Sequence, residues 1–92
     1  MHAVLVTVSI KAGHDEEAQA QLETNVVPMV KQTPGVVSAY WTRSGDGEHG
    51  FSLAVFEDEK TAQAAADNIP NVPRPDFIIF DNIEVREVVA HI

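Results

Sequence analysis

The side chains best able to do chemistry lie in one stretch, Pro34 to Glu57: Tyr40, Trp41, His49, Ser52 and Phe56. Tyr40 and Trp41 are neighbours in a β-branched and aromatic run, so in a strand they point to opposite faces. Each could fill a core and satisfy its polar atom locally, or line a pocket for a flat aromatic molecule. His49 follows a turn. As a general base it would need a pocket and a proton within hydrogen-bond reach, and the sequence supplies neither. His2 and His91 stand near the two ends of the chain and could approach if the first and last strands pair. Two imidazoles without a third ligand make a weak metal site, so no metal is expected. No Gly-rich phosphate loop, Ser-His-Asp pattern or paired-carboxylate motif is present. No catalytic residue can be assigned, and no reaction is readable from these residues alone.

The elements that must position them follow from periodicity. Val36–Arg43 and His49–Phe56 flank the turn-forming cluster Ser44-Gly45-Asp46-Gly47, which predicts a hairpin. Pairing about Asp46 sets Val37, Ala39, Trp41 and Arg43 across from Val55, Leu53, Phe51 and His49. With Phe51, Leu53 and Val55 toward the helices, the second face would carry Val36, Tyr40, Ala54, Phe56 and Leu5. That apolar patch needs a cover of its own. Before the hairpin, Ala3–Ile10 alternates as a strand with one strongly apolar face. A helix opens at His14 or Asp15, its acidic start Asp15–Glu17 favoured by the helix dipole. Its stripe of Ala18, Leu22, Val26, Met29 and Val30 reads as buried. Pro28 lacks the N–H owed to Thr24, which predicts a kink rather than a stop. After the hairpin, Asp58 caps a second helix with the thin stripe Ala62, Ala65, Ala66 and Ile69. Three prolines between Pro70 and Pro75 impose a loop, and Phe77–Val89 reads as the last strand. The order β-α-β-β-α-β predicts an α+β ferredoxin-like fold, a four-stranded antiparallel sheet with both helices on one face.

Ninety-two residues make one domain, 1–92, and a chain this short has little core of its own. It has no cysteine, so neither a disulfide nor a thiolate metal site can help, and a second copy is the remaining source of buried area. The formal charge of −8, with scattered cations, argues against a nucleic-acid partner. No apolar run approaches the roughly 20 residues of a membrane span, so no membrane partner is expected. The N-terminal run has no basic leader or cleavage site, and a cytoplasmic location is the default expectation.

Three features carry a family resemblance that spans essentially the whole chain. They are the first strand ending in Lys11-Ala12-Gly13, the first-helix end VVPMVKQTPGVVS, and the run AVFEDEKTAQAA leading into the second helix. On these the chain resembles the dimeric α+β barrel superfamily and, within it, the antibiotic-biosynthesis-monooxygenase-like (ABM) domains. The resemblance implies a homodimer with facing sheets and a cavity between each sheet and its helices. It further implies a small apolar or aromatic ligand, with Tyr40, Trp41, His49, Ser52 and Phe56 as the candidate ligand-binding residues. As an enzyme, the chain would be a monooxygenase using O₂ with no cofactor. The substrate itself would form the carbanion or radical that meets oxygen, oriented by Tyr40, Trp41 or His49. The alternative is a non-catalytic ligand-binding or assembly module of the same fold. The haem-degrading branch uses an Asn on strand one, a Trp near the end of strand three and a His on helix two. Here strand one has no Asn, Phe56 stands in the Trp position and helix two has no His, so haem degradation is not implied.

Overall fold

The computed structural model describes residues 1–92. Strands β1 (His2–Ile10), β2 (Val36–Arg43), β3 (His49–Phe56) and β4 (Ile78–Glu87) form one antiparallel sheet in the order β2-β3-β1-β4. Between β1 and β2 runs a helical arm made of α1 (Asp15–Gln21), a π-helical turn (Leu22–Val26) and α2 (Val27–Lys31). Helix α3 (Glu59–Asn68) and a short 3₁₀ turn (Ile69–Asn71) lie between β3 and β4. This is the ferredoxin-like α+β fold that the element order predicts.

Each helix follows its local chemistry. Asp58 Oδ1 accepts the Thr61 N–H at 2.8 Å and caps α3. Ala62 and Ala66 are then buried against Val4, Val6 and Phe56, because small side chains let the helix sit close to the sheet. Pro28 does not stop the helical arm. The Val27 N–H instead reaches back five residues to the Leu22 carbonyl, and the widened turn carries the arm past the proline.

The sheet departs from the expected register, and the difference decides which side chains meet. Arg43 pairs with Gly50, Trp41 with Ser52 and Tyr40 with Leu53, one residue away from pairing about Asp46. The turn is longer by one residue than the pairing assumed. The Gly47 N–H closes onto the Ser44 carbonyl at 3.0 Å and the Ser44 N–H onto the His49 carbonyl at 2.9 Å, which leaves Glu48 as an extra link. Gly47 holds this path at φ +76, a conformation costly for any residue with a Cβ. A one-residue slip inverts the faces of a strand pair. Phe56 and Ala54 therefore face the helices, and Phe51, Leu53 and Val55 face away, the reverse of the expectation. A bulge at Val37 keeps Val36 on the helix side opposite Phe56.

A second bulge, on β4, skips Asp81: Val8 pairs with Phe80 and Thr7 with Asn82. Ser9 Oγ donates to Asp81 Oδ2 at 2.6 Å and holds the extra residue at the sheet edge. The bulge explains why β4 changes parity, with Ile78 and Phe80 and then Ile83 and Val85 all placed toward the helices. β4 also ends at Glu87, short of the expected Val89; beyond it the Val88 N–H still donates to the Met1 carbonyl at 2.9 Å, where β1 has no further residue to pair.

Candidate functional site

The two helical layers sit differently on the sheet. α3 lies directly on β1, β3 and β4, whereas the arm α1–α2 stands away from it. The arm is tied at its ends. At the start, Arg43 Nη1 donates to the Asp15 carbonyl at 3.1 Å. At the far end, the Glu57 N–H donates to the Gly35 carbonyl at 2.8 Å. Gly35 has φ +83, and a Cβ there would lie 2.7 Å from Thr61 Cβ, so only glycine lets the exit of the arm touch the start of α3.

Between these ties lies a cleft of about 240 Å³. Its floor is the helix-facing side of the sheet, with Val6 and Val8 at the centre and Trp41 and Phe80 toward the two edges. Its roof is the stripe of Ala18, Leu22, Val26, Met29 and Val30. That stripe was expected to be buried, but only Ala18 is; Met29 remains 40% exposed. Because the arm is held off the sheet, its apolar face becomes a cavity wall rather than a packed core.

The five candidate residues divide by face. Trp41, Ser52 and Phe56 line the cleft, Trp41 and Ser52 as a direct cross-strand pair and Phe56 at the deep end with 2% exposure. The indole and the hydroxyl put two polar handles on an otherwise apolar wall. Tyr40 is on the opposite face and 68% exposed, and His49 is exposed at the start of β3 beside Ser9. The geometry therefore brings Tyr40 and His49 to neither the cleft nor Trp41. His49 also does not face Arg43, whose partner is Gly50.

Sequence reasoning passed over Arg43 as a cleft residue and Arg74 altogether, and both line it. Arg43 could have been found from its spacing of two from Trp41. Arg74 lies in the proline loop and offered no periodic signal. Its Nε donates to the Ile78 carbonyl at 3.2 Å, and its guanidinium sits 4.9 Å over the Phe80 ring.

None of the four histidines and no Asp or Glu lines the cleft. It offers no side-chain proton acceptor of those classes and no imidazole, thiolate or carboxylate to ligate a haem iron. No group of three or more His, Cys, Asp or Glu side chains lies together to hold a metal ion. His2 Nε2 is 3.6 Å from Glu59 Oε2, while His91 lies beyond the end of β4 and is exposed.

The model of the antibiotic biosynthesis monooxygenase family matches residues 1–68, and the chain belongs to that family. Similar solved structures include the heme-degrader MhuD of Mycobacterium tuberculosis with two hemes bound in its active site (TM-score 0.74, 18% identity, covering 100% of this chain and 99% of that one). Another is the ActVA-Orf6 monooxygenase of Streptomyces coelicolor in complex with the ligand nanaomycin D (TM-score 0.61, 14% identity, 99% and 89% covered). A third, NE2512 of Nitrosomonas europaea, is a protein of unknown function (TM-score 0.66, 24% identity, 98% and 90% covered). At these identities the likeness concerns the fold. No curated protein matches the chain.

Proposed function

We infer that the protein works as a homodimer that holds a small apolar or aromatic molecule in the cleft beneath α1–α2, against Trp41, Ser52 and Phe56. The observation that carries this reading is the cleft itself. A helical arm with a continuous apolar stripe is held off an apolar sheet, and a space so lined gains free energy by excluding water in favour of a ligand. Solved relatives of the fold that hold hemes or nanaomycin D support the reading.

The dimer is supported by the other sheet face. Tyr40, Phe51 and Ile79 are 68%, 45% and 49% exposed there, beside half-buried Leu5, Leu53 and Val55. Only 9 of 92 residues are buried in the single chain, which is a thin core for an independent monomer. Its accessible surface of 5984 Å² exceeds the roughly 5200 Å² usual for a folded monomer of 10.0 kDa. The excess is close to the ~800 Å² that one partner buries in a standard interface. Face-to-face packing of two sheets would cover the apolar side chains.

Two activities are compatible with this arrangement. In the first, the protein is a monooxygenase in which the bound substrate, as its own carbanion or radical, meets O₂ and the cleft only orients it. In the second, the cleft binds without chemistry. The absence of His, Asp and Glu from the lining favours binding, because a substrate would have to arrive already ionised. Native mass spectrometry of protein purified without additives tests assembly and cargo together, and the expected species is a dimer carrying extra mass. A monomer at micromolar concentration would overturn the dimer. Oxygen uptake with a panel of hydroxylated aromatics separates the two activities: substrate-dependent uptake marks the enzyme, and binding without uptake marks the module.

A further inference from the structure

Arg43, Gly50, Val8 and Phe80 form one cross-strand row on the floor of the cleft, running through all four strands. Arg43 stands at one end of that row. Arg74 lies over the Phe80 ring at the other. The ends are three strand spacings apart, roughly 14 Å between backbones. Between them the floor is low, since position 50 has no side chain and a Cβ there would meet Val8 Cγ2 at 2.9 Å.

Both guanidiniums are short of anionic partners in a chain rich in them. The protein has 14 carboxylate side chains, yet of its three arginines only Arg86 is ion-paired, with Glu84 at 3.0 Å. Arg43 spends Nη1 on a backbone carbonyl, and its Nε is shut off from solvent with no acceptor. Arg74 spends Nε on another carbonyl. Each guanidinium carries five N–H donors in a planar fork suited to an anionic oxygen pair; Arg43 keeps its buried Nε without a partner, and Arg74, exposed on its loop, keeps its terminal nitrogens free of any protein acceptor. A cavity meant for a purely neutral molecule has no need of two unpaired cations at its ends.

We propose that the ligand of the cleft is a planar apolar acid bound as its anion, its ring system lying over Val8 and Gly50 and its anionic oxygens held by Arg43 or Arg74. The proposal rests on the ligand-cleft reading above and narrows it to a chemical class. It also bears on the missing base: an acid that is ionised in solution reaches the cleft already charged, and the guanidiniums hold that charge in place.

The test uses two fluorescent probes with the same aromatic skeleton, anilinonaphthalene sulfonate and its uncharged counterpart N-phenylnaphthylamine. Binding is followed by energy transfer from Trp41, the single tryptophan and part of the cleft wall. The wild-type dimer is expected to bind the sulfonate at least about ten-fold more tightly, the scale of one charge-assisted hydrogen-bonded contact. The net charge of −8 opposes that preference, so it can only arise locally. Arg43→Gln and Arg74→Gln together are expected to bring the ratio between the two probes to about one, whatever loss common to both follows from the missing Asp15 tie, and Arg43→Lys to retain part of the preference. Equal binding of the two probes by the wild type, or a preference that survives both Gln substitutions, overturns the acid and leaves the cleft reading intact. Weakening of both probes by the same factor in the Gln variant, which leaves their ratio as in the wild type, also overturns it, because the arginines then support the cavity and not the charge. Failure of both probes to bind the wild type overturns the cleft reading and the acid with it.

Discussion

Replacing Phe51 by Asp tests the arrangement of the sheet faces at a single position. Phe51 lies on the face away from the helices, between Thr7 of β1 and Thr42 of β2, and is 45% exposed in the single chain. A phenylalanine offers roughly 200 Å² to burial, so about 90 Å² per chain remains for a partner to cover. At about 25 cal/mol per Å², two copies contribute about 4.5 kcal/mol to a symmetric dimer. Each 1.4 kcal/mol is a factor of ten, so Phe51→Asp should raise the dissociation constant at least about a thousand-fold. The carboxylate would add the cost of placing a charge between two apolar faces. Because the side chain is half exposed in the single chain, the fold itself should survive with its far-UV circular dichroism unchanged. Sedimentation velocity over a dilution series reads the outcome directly. A variant that dimerises as tightly as the wild type would refute the sheet-to-sheet assembly, and with it the account of why so much apolar surface is left open.

Other expectations follow from local geometry. Gly35→Ala combines a left-handed backbone, φ +83, with a 2.7 Å approach to Thr61 Cβ. It should cost about 2 kcal/mol or more in urea unfolding, with a lower midpoint and little change in slope. Pro28→Ala returns a donor to the helical arm, so the π turn at Leu22–Val26 should relax toward a regular helix. Stability should rise by about 1 kcal/mol or more. Probe binding in the cleft should weaken, because Met29 and Val30 rotate relative to Leu22. Two carboxyls sit below their ordinary 3.8. The Ser44 hydroxyl, then the Glu48 N–H, holds Asp46 down; the Thr61 N–H, then its hydroxyl, holds Asp58 down. A depressed folded-state value means stabilisation that is fully present above 3.8 and lost as pH falls through the folded values. Asp58→Asn keeps the cap but removes the titration, so its loss of thermal stability on acidification below pH 3.8 should be shallower than in the wild type.

Much of the site was legible residue by residue, and its assembly was not. That Tyr40 and Trp41 take opposite faces follows from strand geometry alone. Which β3 side chains share the face of Trp41 depends on whether five or six residues separate Arg43 from its partner across the turn. The hydrogen bonds of Ser44, Asp46 and Gly47 settle that, and turn composition by itself was compatible with both. Phe56 was placed on the wrong side for this reason alone. The arm's stripe was recognised as apolar, but an apolar stripe reads the same whether it packs against a sheet or roofs a cleft.

The sequence by itself determined the elements, their order and the ferredoxin-like class. Those rest on short-range causes: alternation in β1, the Asp58 cap, the Gly35 exit and the proline loop each act within a few residues. Only the tertiary structure decided the parity of the sheet, through bulges at Val37 and Asp81, and the height of the helical arm, through ties from Arg43 and Gly35. It alone brought Arg43 and Arg74 to the two ends of one row. Their placement at the ends of that row depends on three strand pairings between segments distant in the chain, and one added residue in any of them would have turned a cleft-facing side chain to the opposite face.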